Sequence, residues 1–218
     1  MNLQAELQKT KEEFSGQIPE EVSQIMQSAT ETLIQSGIVQ TCLKEGDKMP
    51  AFSLPNARNE IVSSDKLLKE GPLVINFYRG GWCPYCSLEL KAFQDILPEI
   101  TKLGAQLVAI SPNLPDKSLS SIQKDALSFQ VLSDLQNKVA RQFGLVYTLD
   151  AKLQPLYKQM GIDLSEFNGD ESYELPLPAT YVVDSDGIIK LAFADVDYTK
   201  RLEPDKVIDM LNELKDLS

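Results

Sequence analysis

Apolar residues recur at helical spacing over the first forty positions. Leu3, Leu7 and Phe14 share one face before Gly16. Beyond Pro19, the set Val22, Ile25, Met26, Ala29 and Leu33 follows the pattern of a one-sided helix, which Gly37 closes. Pro19 suits a helix opening, and Glu20 and Glu21 stand where the positive end of the helix favours acids. Both apolar stripes need a surface, either this chain's own core or a dimer seam.

From Gly46 the period shortens. Phe52 and Leu54 alternate with polar residues up to Pro55, and Ile61-Val62 can pair with them. Ser64-Asp65 caps a brief helix ending at Gly71-Pro72. Leu73 to Tyr78 is nearly all apolar, as a central parallel strand should be. A helix follows from Pro84 to about Leu103, with Leu88, Leu90, Phe93, Ile96 and Leu97 inward, and then a strand from Gln106 to Ile110. Lys117 to Phe143 reads as helix, strand and helix, with the strand at Phe129 to Leu132. The acid-rich stretch Asp163 to Glu174 reads as a solvated loop. Thr180–Val183 and Ile188–Phe193 flank Asp184-Ser185-Asp186-Gly187, a hairpin signal. Pro204 opens a last helix with Val207, Ile208, Leu211 and Leu214 on one face. The order predicts an α/β fold, a mixed central sheet flanked by helices, with an N-terminal helical extension over 1–45 and the main domain over 46–218.

Composition narrows the function more than the fold. The 218 residues carry a net charge of -11, which repels a phosphate backbone and argues against a nucleic-acid partner. No apolar run approaches the ~20 residues of a membrane span. The first ten residues hold no apolar core of a signal peptide, and three cysteines form no secreted disulfide framework. A cytoplasmic, reducing compartment is the expectation. Histidine is absent, so Ser-His-Asp and Cys-His pairs are excluded. Any nucleophile must be activated another way.

The segment Phe77-Tyr78-Arg79-Gly80-Gly81-Trp82-Cys83-Pro84-Tyr85-Cys86 supplies that way. It leaves a buried strand, turns through two glycines and enters a helix with proline at its first position. Cys83 then falls at the helix boundary and Cys86 in its first turn, so the sulfurs can face each other. Free N–H groups and the dipole favour thiolate over thiol there, and Arg79 adds a positive charge. Two plainer readings stand beside this one. The pair could be inert small residues. It could also be half of a zinc site, although one C-x-x-C, a distant Cys42 and no histidine fall short of four ligands, so no metal is expected.

From about Gly46 to Leu217 the sequence resembles the thioredoxin-fold superfamily, in particular its peroxiredoxin-like (AhpC/TSA) branch. The resemblance rests on Phe52-Ser53-Leu54-Pro55, on Asn76 to Cys86, and on Leu177-Pro178-Ala179-Thr180-Tyr181-Val182-Val183-Asp184 with Gly187. It implies a thioredoxin-like fold and a thiol-dependent peroxidase that needs no cofactor. In the peroxiredoxin register Arg79 falls on the motif's proline, Cys83 on its threonine and Cys86 on the peroxide-attacking cysteine. The family's later arginine position holds Pro178. Thioredoxin-like reductases instead set a cis-proline opposite their C-x-x-C, which Leu177-Pro178 resembles, and their buried acid corresponds to Asn76.

Two assignments of the pair follow. As a peroxidase acting on hydrogen peroxide or alkyl hydroperoxides, Cys86 attacks, Cys83 resolves, and a thioredoxin or glutaredoxin-like donor re-reduces the bridge. As a thiol-disulfide oxidoreductase, Cys83 attacks and Cys86 closes. A redox-sensing binding protein whose N-terminal helices meet a partner is a third possibility. Supporting roles are expected for Arg79, for Trp82 and Tyr85 beside the thiols, and for Thr180 and a cis Pro178 against the sulfurs. Cys42 is expected to be idle, with a resolving role or an intersubunit bridge in a homodimer as its alternative.

Overall fold

The computed structural model describes residues 2–216. Met1, and Leu217 and Ser218 of the expected main domain, lie outside the described residues.

The fold is organised around β3 (Leu73–Phe77), in which all five residues are buried. It runs parallel to β4 (Gln106–Ser111) and antiparallel to β8 (Ala179–Val183). With β5 (Gln130–Ser133) and β9 (Ile189–Ala194) these make a mixed sheet in the order β5-β4-β3-β8-β9. The expected α/β architecture is thus observed. Because successive side chains point to opposite faces, β3 feeds two cores. Val74 joins Leu90, Phe93, Val207 and Leu211 beneath α5 (Pro84–Lys102) and α10 (Pro204–Asp216). Leu73, Ile75 and Phe77 join Phe52, Phe143 and Tyr181 on the other side. The short hairpin of β1 (Ser53–Pro55) and β2 (Ile61–Ser63) stands beside the main sheet, and α4 (Ser64–Leu68) follows it.

The N-terminal helices cover this chain's own surfaces. Leu3 and Leu7 of α1 (Leu3–Ser15) are buried in the same core as Leu90 and Phe93 of α5. In α2 (Glu20–Ser36), Ile25, Met26 and Ala29 pack on Leu149, Leu153, Tyr157, Leu164 and Leu175, yet no α2 residue is fully buried. A one-turn α3 (Ile38–Thr41) leads into the main domain.

The chain between β5 and β8 departs most from expectation. After α6 (Pro115–Asp125) and α7 (Lys138–Gln142), β6 (Val146–Thr148) pairs with β7 (Glu174–Pro176), and α8 (Leu153–Gln159) and α9 (Leu164–Asn168) lie between them. The stretch Asp163 to Glu174 is therefore no simple solvated loop. Asp163 caps α9 by accepting from the Ser165 N–H at 3.1 Å, and Leu164, Asn168 and Leu175 are buried. Its apolar anchors are too few and too widely spaced to show a period.

Candidate active site

The turn after β3 is held rigidly. Gly80 has φ 154°, and a Cβ there would meet Trp82 Nε1 at 2.3 Å and Asn113 Oδ1 at 2.9 Å. The Gly81 N–H donates to Asn113 Oδ1 at 3.0 Å, and Asn113 Nδ2 donates to Asn168 Oδ1 at 2.8 Å. A buried polar side chain with each atom matched in this way fixes its neighbours. The Asp163–Glu174 segment, through Asn168, thus braces the loop that carries the chemistry.

Cys83 is the N-cap of α5 and Pro84 its first residue. Both sulfurs are reduced and nearly sealed, with Cys83 1 % and Cys86 0 % exposed. Their environments are opposed. Burial pushes the Cys83 thiol up, but hydrogen bonds from the Cys86 thiol and backbone N–H and the charges of Arg79 and Arg201 outweigh it, leaving Cys83 lowered to about 5. Burial, and the Cys83 sulfur that accepts its proton, push Cys86 well above the ordinary thiol range. Of the two thiols, Cys83 is the one whose surroundings favour loss of its proton.

Two arginines flank the pair. Arg79 is 2 % exposed, with Nη1 3.9 Å from Cys83 Sγ and Nη2 donating to the Tyr157 hydroxyl at 2.5 Å. Its guanidinium lies 4.9 Å from the Trp82 ring centre and 4.3 Å from that of Tyr198, within cation–π range. Arg201, just before α10, places Nη2 3.4 Å from Cys86 Sγ and Nε 2.6 Å from Glu89 Oε2. Arg201 Nη1 donates to the Lys200 and Tyr198 carbonyls. Glu89, one turn beyond Cys86 on α5, is buried, and burial raises its carboxyl to about 7 against the opposing pull of Arg201.

The other expected residues fall in different places. Trp82 packs edge-on to Tyr157 at 5.8 Å, and Tyr85 edge-on to Tyr198 at 5.6 Å, so both flank the dithiol turn. Thr180 faces Asn76 across β8 and β3, accepting from its Nδ2 at 3.2 Å. Among the described residues no peptide bond is cis, so the expected cis-Pro178 is corrected to a trans proline. The Leu177 N–H extends the β6–β7 ladder by donating to the Leu145 carbonyl at 2.8 Å, and this extended path carries the chain directly into β8. Cys42 belongs to the core on the other face of the sheet from the pair, and burial pushes it up to about 11. It is placed neither to resolve within the chain nor to react.

Arg201 and Glu89 were not singled out from the sequence. Glu89 did leave a signal, a charge on the same helix face as Leu90 and Phe93. Arg201 left none, because nothing local marks an arginine 115 positions from its sulfur.

A buried pair of free cysteines at the mouth of a helix, on a mixed sheet of this order, defines a thioredoxin-fold thiol protein. A sequence profile described as the AhpC/TSA family matches residues 45–192, and the chain belongs to that family. It is 28 % identical over 77 % of its length to the chloroplastic peroxiredoxin Q of Populus jackii. It is 34 % identical over 47 % of its length to peroxiredoxin Bcp of Escherichia coli. In each case the match spans 65 % of the relative, just under two thirds. Among solved structures, peroxidoxin BcpB of Mycobacterium tuberculosis superposes with a TM-score of 0.62 at 24 % identity, over 79 % of this chain and 98 % of that one. Helices α1 and α2, and Arg201, lie outside the family match.

Proposed function

We propose that the protein is a thiol peroxidase that reduces hydrogen peroxide or alkyl hydroperoxides through the Cys83/Cys86 pair. The observation that carries this reading is a buried pair of sulfurs with a guanidinium against each, Arg79 beside Cys83 and Arg201 beside Cys86. The Cys83 thiolate attacks the outer peroxide oxygen, an S–O bond forms, and the O–O bond breaks. Arg79 and Arg201 stabilise the charge that develops on the departing oxygen. Arg201 thereby supplies a cation that Pro178 cannot. The Cys86 sulfur then attacks the Cys83 sulfenic acid, giving an intramolecular disulfide and water. A cleft of about 100 Å³ between α2 and α8 ends on Arg79 and offers a path inward.

This assignment makes Cys83 the attacking residue, where the family register favours Cys86. The support is the ordering of the two acidities: only a thiolate is a nucleophile at neutral pH. An external dithiol of the thioredoxin or glutaredoxin type would reopen the bridge, which suits a reducing, cytoplasmic setting. Both sulfurs belong to one chain, so the cycle needs no second subunit, and a homodimer would serve assembly alone.

Trp82, the only tryptophan, adjoins Cys83 and reports its state. Rapid mixing of the reduced protein with hydrogen peroxide should change Trp82 fluorescence in the wild type and in Cys86→Ser, where a sulfenic acid is trapped, but not in Cys83→Ser. The opposite pattern in the two variants moves the attack to Cys86. A wild type that reacts with peroxide no faster than free cysteine does, yet exchanges rapidly with disulfides, is a thiol-disulfide oxidoreductase and ends the peroxidase reading.

A further inference from the structure

Closing the bridge requires Cys86 to lose a proton inside a buried site. Cys86 is fully buried, and its proton is held more tightly than in an ordinary thiol. The proton ends on the hydroxide that leaves Cys83, and the cycle described above names no group that carries it there. The Arg79 guanidinium is charged and has no lone pair to accept it. The Asn76 amide on the neighbouring strand and the Tyr198 phenol beyond Arg201 are not bases at neutral pH. Cys83, the resting acceptor of the Cys86 hydrogen bond, is a neutral sulfenic acid at that point and no longer a thiolate base.

One carboxylate remains. Glu89 lies on α5 at i+3 from Cys86, on the same face of the helix. One guanidinium ties the two together: Arg201 Nε binds Glu89 Oε2 at 2.6 Å, and Nη2 of the same group lies 3.4 Å from Cys86 Sγ. The second carboxylate oxygen, Oε1, is buried with no hydrogen bond of ordinary geometry, although the Asn76 amide stands near enough to favour the carboxylate. An unmatched buried oxygen is costly, and such groups mark functional positions. Arg201 also explains why a carboxylate can be kept there, since its charge opposes the burial that would otherwise neutralise it for good.

We propose that Glu89 is the proton acceptor for Cys86 during disulfide closure, held in place by Arg201. This rests on Cys86 being the closing sulfur. The Cys86 proton passes to Glu89 as the Cys86 sulfur bonds to the Cys83 sulfur and the S–O bond breaks. The proton then joins the departing hydroxide as water, and Glu89 returns to its carboxylate. Atoms and electrons balance with no further reagent. The charged and titratable groups facing Glu89 are Arg201 from the loop before α10 and Cys86 from α5. Cys83 and Arg79 lie one step further out. Of these, only Glu89 changes from acid to base near neutrality.

The test separates the two chemical steps. Rapid mixing with peroxide should give a fast Trp82 phase for attack and a slower one for closure. Glu89→Gln should slow closure at least ~100-fold more than it slows attack, the lower end of the range usual for general base catalysis. Glu89→Asp should restore much of the loss. In the wild type, closure should slow as the pH falls below about 7, where Glu89 gains its proton. That profile needs no variant to fold. Oxidised glutathione provides a second route to closure, forming a mixed disulfide on Cys83 that Cys86 then attacks. Slowing of Glu89→Gln closure in this arm supports the proposal even if peroxide proves not to be the substrate. Closure that is equally fast in Glu89→Gln and flat across pH 5.5–8 in the wild type overturns it.

Discussion

The Arg201 guanidinium lies 3.4 Å from Cys86 Sγ, although 115 positions separate the two residues in the chain. The same group closes a fully buried ion pair with Glu89, in which the Arg201 and Glu89 side chains are 0 % and 1 % exposed. One side chain therefore ties the loop before α10 to the first turns of α5.

Breaking this pair from one side should be expensive. Arg201→Met strands the Glu89 carboxyl without its cation, and denaturant unfolding should show a loss of about 3–5 kcal/mol. Adding Glu89→Gln should recover part of that loss, because the second change removes the stranded charge. Two losses that simply add would show that Arg201 and Glu89 do not act as a unit.

Arg79 should govern the acidity of Cys83 without governing the fold to the same degree. Removing a cation from beside a thiolate raises the thiol pKa. Ultraviolet titration of thiolate absorbance in a Cys42→Ser, Cys86→Ser background should show Arg79→Met titrating at a higher pH than its parent. Reaction with peroxide at pH 6 should slow by up to ~10-fold for each pH unit by which the thiol comes to titrate above pH 6. Arg79→Lys should fall between, since it keeps charge but loses the planar contacts with Trp82 and Tyr198.

The pH dependence of stability should differ in sign between two variants. Glu89 is raised from 4.5 to about 7 on folding, so its contribution is full below pH 4.5 and is lost as the pH rises through 7. Cys83 is lowered from 9.0 to about 5, so its contribution is full above pH 9 and is lost as the pH falls through 5. Between about pH 5 and 7 the two oppose each other. Denaturation of Cys83→Ser should therefore show stability falling with rising pH over that window, and Glu89→Gln should show it rising. A common slope in both variants would rule out this assignment of the charges.

Helix α1 should behave as part of the core rather than as an appendage. Leu3 is fully buried in the cluster that also holds Cys86 and Phe93. Leu3→Ala should cost about 2–5 kcal/mol in denaturant unfolding, the range for a deleted core leucine. A loss under about 0.5 kcal/mol would mean that α1 is only loosely applied.

Much of this protein was legible in its residue order. The apolar run from Leu73 to Tyr78 determined a central strand, and the α5 stripe with Pro84 at its start determined a helix with its dithiol at the positive end. Both are local signals, because strand and helix periods repeat within a few residues. The segment from Leu145 to Pro176 was not legible in this way, since its short elements hold one or two anchors each.

The charge on the sulfurs was decided elsewhere. The register of the motif placed the attack on Cys86, but acidity depends on burial and on which cations and donors arrive in space. Arg201 reaches Cys86 only because α10 packs beneath the sheet, and Glu89 becomes a poised carboxyl only because α5 turns it inward beside that arginine. Periodicity reports which way a residue faces. Coulomb and desolvation energies depend on distance through the folded chain, and that distance exists only once the tertiary structure has formed.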